Sequence, residues 1–459
     1  MTLATDPLLA PLPADRPAVE RSARMPAGFE AAGAIAGIKA SGRPDLALIV
    51  ATDGPLPAAA VMTPNRFAAA PVRLSRANLQ GTGGTDATAG LVRAVVATSG
   101  SANAATGPAG DADQAAIGKA VAAALGCSPI EVLHLSTGVI GTRLPVDRVA
   151  TTVATVAAGG LASTDLALTD AAVALRTTDS TTKVATATVS APGADGGHPV
   201  SITVTGIAKG VGMIHPRMAT MLAVLLTDAT ADPSTLRALL AGASAVTWNQ
   251  LSVDGDTSTN DSVFVLASGR AGAAAAATDI AARAALGRAI GAVARDLARQ
   301  QAADGEGATA LITCEVSGAA DDADARAIAR AIVASSLVKA AVHGRDPNWG
   351  RIAGAAGNAV VAEAATLEAA GLSPEEAAAR AGSPAAVDPA RMRIAIAGTT
   401  VYDGNAGGPV PIDKALVRGA MAGPEVSIRV DVGLGSGAGE AFGCDLTEGY
   451  VRENSEYTS

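Results

Sequence analysis

Residues 206–229 read GIAKGVGMIHPRMATMLAVLLTDA, and the segment changes character partway. Up to Pro216 it is glycine-rich; from Met218 it is apolar. Thr220 sits at the seam, preceded by the small Ala219. Capping or beginning a buried helix is the plain use of such a threonine. A second use is self-cleavage: the hydroxyl attacks the preceding carbonyl, the peptide shifts to an ester, and water cuts it. The new N-terminal Thr220 then carries a hydroxyl and an α-amine of pKa about 8, which serves as the hydroxyl's own base. A small residue before the threonine and a glycine-permitted approach are what this chemistry needs.

Other chemistries lack their residues. There is no HExxH, GxxxxGK[ST] or GxSxG motif. The four histidines are isolated, and Cys127, Cys314 and Cys444 lie far apart, so no metal site and no disulfide framework is expected. Gly433-Leu-Gly-Ser-Gly-Ala438 mimics a dinucleotide fingerprint but lies too near the C-terminus for a βαβ unit to follow. Asp254-Gly-Asp-Thr-Ser-Thr-Asn-Asp261 is oxygen-rich like a calcium loop but lacks the bidentate glutamate; it reads as a turn or a hydrogen-bonded active-site wall.

The elements that must hold Thr220 come from a chain of 459 residues, half apolar but only 2% aromatic, so the core must be built from Ala, Val, Leu and Ile. Net charge is −9, with no basic face for nucleic acid. No signal peptide or membrane span is expected, and a reducing, cytoplasmic setting fits the cysteine usage. Residues 1–25 read as a loose tail. Strands are expected at 45–51, 92–98, 132–135, 391–397 and 426–432, with a hairpin at 184–190 and 201–205. Helices are expected at 111–125 (Asp111 as N-cap), 233–240, 278–301 and 325–337. In the 278–301 helix Leu286, Ile290, Val293 and Leu297 form an apolar stripe, with Arg288, Arg295 and Arg299 opposite. Strands and helices mix without strict alternation, which predicts an α/β (α+β) layered sandwich with mixed or antiparallel sheets flanked by helices.

The opening stretch closely resembles the autocleavage region of the ornithine acetyltransferase (glutamate N-acetyltransferase) family. So do AAGAIAGIKASGRPDLALIV, MTPNRFAAAPV, LSTGVIGTRLP, VDGDTSTND, ADGEGAT, VKAAVHGRDPNWGRIAGAAG and FGCDLTEGYVRENSEYTS, in that family's order from Ala31 to Ser459. The resemblance implies the self-cleaving N-terminal-nucleophile fold shared with DmpA-like proteins, and a cut between Ala219 and Thr220. The parts 26–219 and 220–459 would then stay in one fold and assemble as two α and two β chains. It implies that Thr220 takes the acetyl group of N-acetylornithine as an ester and passes it to glutamate. Thr137 and Gly138 match the family's oxyanion-hole pair. Lys209 matches its substrate-binding lysine, Thr177 or Thr178 a further contact, Glu306 its acidic contact for the substrate's amino group, and Asn454 and Ser459 the residues that close the pocket.

Some positions depart from the family: Thr98-Ser-Gly-Ser-Ala-Asn103, Ala310 and Arg345 stand where it usually has other residues, which bears on substrate range. No metal or resident cofactor is expected; whether acetyl-CoA is a second donor stays open at this level. A related amidase or aminopeptidase with water as acceptor, an acetyltransferase of specialised metabolism, and an uncut binding protein are the competing readings.

Overall fold

The computed structural model describes residues 16–83, 88–196, 198–215 and 221–455. Ala219, Thr220 and Ser459 lie outside the described residues.

Three sheets are stacked with helices between and outside them. The central six-stranded sheet runs, edge to edge, Ala89–Val92, Leu56–Met62, Ser262–Ala267, Leu222–Thr227, Val200–Lys209, Lys183–Ala191. Only the Ser262–Ala267 and Leu222–Thr227 pair is parallel in it. Both strands are buried along their whole length. Alternate side chains serve opposite faces, as the two-residue period of a strand dictates. Leu222, Val224, Leu226, Phe264 and Leu266 enter one core; Ala223, Leu225, Val263 and Val265 enter another.

The first core lies against a four-stranded sheet of Phe29–Ala34, Leu46–Ala51, Ala94–Ser101 and Val132–Val139. The helices Ala70–Gly83 and Asp165–Leu175 are wedged between the two sheets. The outer face of the four-stranded sheet is covered by Gly107–Leu125 and Val146–Gly159.

The second core packs the central sheet on the helix Ile280–Ala303, whose Leu286, Ile290, Val293 and Leu297 are fully buried. Two of the three arginines on its other side are covered too, while Arg288 stays exposed. Arg295 donates to Glu440, Arg299 donates to Thr313 and Glu425, and both guanidiniums lie over the Phe442 ring. This face meets a seven-stranded sheet that includes Leu311–Ala319, Glu425–Asp431 and Gly437–Cys444. The helix is therefore an inner layer between two sheets, where the sequence pattern showed only one apolar stripe. The expected layered, mixed α/β architecture is the one observed.

Several element boundaries differ from expectation, three of them for reasons the structure shows. The helix read from Asp111 begins at Gly107, because Pro108 in the first turn is preset for helix and lacks the N–H a first turn leaves unused. Asp111 instead pairs with Arg73. The single helix read over 325–337 is two, Asp322–Ala334 and Ser336–His343; Ser335 is extended and its side chain accepts from Val338 N, capping the second. Of the segment read as a loose tail, residues 16–25 are docked. Glu20 and Thr186 exchange backbone hydrogen bonds, Arg21 pairs with Asp296, and Arg16 with Glu440.

Candidate active site

The chain leaves the central sheet at Lys209 and re-enters it at Leu222, which faces Lys209 across the antiparallel pair. The excursion 210–221 therefore starts and ends at one end of the sheet, beside Thr137 and Gly138 of the four-stranded sheet. A cavity of about 370 Å³ opens there, lined by Thr137, Gly138, Thr177, Thr178, Lys209, Met221, Leu222, Glu306 and Asn454, with Ser258–Asp261 as a wall. That volume suits a small metabolite. Each expected site residue within the described residues lies on this one cavity, and Met221, the residue after Thr220, lines it.

The polar groups are linked. Lys209 Nζ donates to Thr137 Oγ1 (3.1 Å). An ammonium only donates, so the Thr137 oxygen accepts here and keeps its own O–H to give. Gly138 belongs to a strand that runs past the expected 132–135. It lies inside Val132–Val139 with φ +127°, backed against Gly100 of the parallel neighbour. On the far side, Glu306 accepts from Thr178 Oγ1 (3.0 Å) and from Asn454 Nδ2 (2.9 Å). Gly212 packs against it: a Cβ there would lie 2.2 Å from the Glu306 carboxylate and displace that side chain. Of the two threonines left open by the sequence, Thr178 aims its hydroxyl at Glu306. Thr177 turns its N–H to Asp179 (3.1 Å), though it also lines the cavity.

Burial pushes the Lys209 ammonium below the ordinary lysine value. The carboxylates of Asp179, Glu306 and Asp261 oppose that shift, and Lys183 adds to it. Asp179 is itself held well below the usual carboxylate range: burial works against ionisation, but Lys209, Lys183 and the Gly210 N–H overcome it.

The segment Val211–His215 is fastened to the oxygen-rich stretch. Asp254 accepts from the backbone N–H of Met213 and of Ile214, Val253 N donates to Ile214 O (2.7 Å), and Thr257 Oγ1 donates to His215 O (3.0 Å). Of the two readings of residues 254–261, the hydrogen-bonded wall is the structural one. Among the described residues no group of His, Cys, Asp and Glu side chains is arranged to hold a metal ion, and no helix is long and apolar enough to cross a membrane.

Sequence reasoning missed Asp179, Lys183, Asp304 and Gln301. They stand behind the cavity and bind one another or the backbone of the residues that line it. The only trace of them in the sequence is the four-residue spacing of Asp179 and Lys183.

The chain is similar to known proteins along nearly its whole length. An "Arginine biosynthesis bifunctional protein ArgJ" from Thermosynechococcus vestitus is 44% identical over 441 residues, 94% of this chain and 96% of that one. A protein of the same name from Mycolicibacterium paratuberculosis is 42% identical over 449 residues, 96% of this chain and 97% of its own. Among solved structures, an ornithine acetyltransferase complexed with ornithine from Mycobacterium tuberculosis is 41% identical with a TM-score of 0.38, covering 44% of this chain and 99% of that one. Residues 30–459 match the ArgJ family, to which this chain therefore belongs.

Proposed function

We propose that the protein is a glutamate N-acetyltransferase of arginine biosynthesis, moving the acetyl group of N2-acetyl-L-ornithine to L-glutamate through an ester on Thr220. The observation that carries this reading is the convergence of Thr137, Lys209, Thr178, Glu306 and Asn454 on the one cavity that Met221 also lines. Names of relatives over nearly the whole chain support it.

In this reading the chain cuts itself between Ala219 and Thr220. The freed α-amine takes the Thr220 hydroxyl proton as the oxygen attacks the acetyl carbonyl. The Thr137 O–H and the Gly138 N–H receive the negative oxygen that forms, charge that they meet only in the transition state. Collapse breaks the C–N bond, the proton passes to the leaving amine, and ornithine departs. Glutamate's amine then attacks the ester, and Thr220 regains its proton. Lys209 holds the α-carboxylate common to both amino acids, and Glu306 holds the second amino group of ornithine.

The same reading makes acetyl-CoA a second acetyl donor, supported by the word bifunctional in the relatives' names. It includes assembly into two α and two β chains and a cytoplasmic setting. Ser459, with Asn454, closes the pocket in it.

Incubating the purified protein with N-acetylornithine and glutamate is expected to give ornithine and N-acetylglutamate in equal amounts. Ornithine and acetate without acetylglutamate would mean that water is the acceptor, the chemistry of an amidase. Acetyl-CoA as the only donor tests the second activity. Replacing Glu306 by Gln is expected to raise KM for N-acetylornithine by about ten- to a hundredfold, through the lost charge and because its Nε2 would face the Asn454 amide donor. Steady-state kinetics with unchanged KM would remove Glu306 from substrate binding.

A further inference from the structure

Behind the cavity lies a set of buried charges that touches no surface of it. Asp179 is 3% exposed and Lys183 fully buried. Lys183 Nζ donates to Asp179 Oδ1 (2.7 Å) and to Asp304 Oδ2 (2.5 Å). Asp179 also accepts from the backbone N–H of Gly210 (2.8 Å) and of Thr177 (3.1 Å). Asp304 accepts from the Ser180 N–H (3.0 Å).

Each of these bonds ends on a segment that carries a substrate-facing group. Gly210 follows Lys209, Thr177 precedes Thr178, and Asp304 lies two residues before Glu306. From the other side, Gln301 Nε2 donates to the Lys209 carbonyl (2.9 Å), and Trp248 Nε1 donates to Gln301 Oε1 (3.0 Å). The network thus joins residues on both sides of the Ala219–Thr220 junction.

We infer that Asp179 is a positioning residue: it sets the place of Lys209 and of the Thr177–Thr178 loop, and holds a negative charge beside them. This rests on the reading of Lys209 as the holder of the substrate carboxylate. The charged groups around Lys209 are Asp179, Glu306 and Asp261, which favour its protonation, and Lys183 and Lys39, which oppose it. Burial lowers the Lys209 value, and Asp179 is the largest opposing influence. Lys183 carries a second carboxylate, Asp304, so it stays paired when Asp179 is neutralised. For Lys209 the remaining carboxylates, Glu306 and Asp261, are weaker influences than Asp179.

Asp179→Asn removes the charge and keeps the Gly210 N–H bond to its amide oxygen, while its Nδ2 replaces the oxygen that accepts from Thr177 N. Without the carboxylate the Lys209 ammonium loses its proton at lower pH. The variant is therefore expected to raise KM for N-acetylornithine and for glutamate about tenfold near neutral pH. The ratio of variant to unmutated KM should grow as pH rises from about 6 to about 9 and shrink on acidification. kcat is expected to stay within a few-fold. A ratio that is flat with pH, or a KM that does not move, overturns the proposal.

Lys209→Met run in the same assay separates the two claims. If it leaves KM unchanged, the reading of the site itself fails. If it raises KM and Asp179→Asn does not, the positioning role alone fails. Asp179→Glu covers the case in which the Asn chain does not fold. Its displaced carboxylate is expected to raise KM more than it lowers kcat, and a KM equal to that of the unmutated protein overturns the proposal.

Discussion

Thr220→Ala is expected to yield a chain that runs as one band at its full 44.7 kDa and transfers no acetyl group. The unmutated protein should give two fragments of about half that size, the second beginning Thr-Met-Leu-Ala. Both effects have one cause. In the proposed mechanism the hydroxyl that attacks the Ala219 carbonyl during maturation is the one that later attacks the acetyl carbonyl, and the amine that acts as its base exists only after the cut. Alanine removes the nucleophile and the base together, so the loss should reach at least about 10⁴-fold in kcat. Thr220→Ser keeps the hydroxyl and is expected to cut. A denaturing gel and an acetyl-transfer assay on the same samples decide it. An uncut Ala variant that is active, or a cut one, would remove Thr220 from the mechanism.

The second large effect is expected at Gly138. Its φ of +127° lies where residues with a Cβ are strained, and the space is closed as well. A Cβ would lie 2.4 Å from Gly100 C, 2.6 Å from Gly100 O and 2.7 Å from Ser101 N. These are backbone atoms of a paired strand and cannot swing aside as a side chain can. Gly138→Ala must therefore push the two strands apart or rotate its own peptide, and either movement takes the Gly138 N–H away from the place proposed for the oxyanion. We expect kcat to fall about 10²–10³-fold with a smaller change in KM. The same strain should cost about 2–4 kcal/mol of stability by denaturant titration. Normal kcat in the alanine variant would show that Gly138 does not serve the reaction.

Much of the site could be read from the chain because its parts are carried by short contiguous pieces. LSTGVIG, GIAKGVG and DGEGAT each hold a cavity-lining residue next to a glycine, and their order along the chain, rather than any single piece, marked them. Asp179, Lys183 and Asp304 could not be read this way. Their meaning lies in a meeting of loops 121 residues apart, and Lys183 alone looks like any strand-edge lysine. The role of Arg295 and Arg299 was hidden for a related reason. A helix covered on both faces shows an apolar stripe only where its neighbour is apolar, and Glu440, Glu425 and Phe442 make a polar and aromatic counter-surface. The helix start at Gly107 was missed because an acidic residue three positions past Pro108 looked like a cap, although Pro108 is the stronger start signal.

In a chain cut as proposed, the strand order of the central sheet governs how the two fragments hold together. Ser262–Ala267 and Leu222–Thr227 are flanked on one side by Leu56–Met62 and on the other by Val200–Lys209. The fragment beginning at Thr220 would thus be clasped between two arms of the other fragment, with main-chain hydrogen bonds along both seams. Such a pair cannot slide apart as two docked domains do. Separation requires both seams to unzip and the cores on either face to open, so the off-rate of one fragment from the other becomes the unfolding rate of the whole. A severed backbone of this kind behaves in solution as a single molecule for as long as it stays folded.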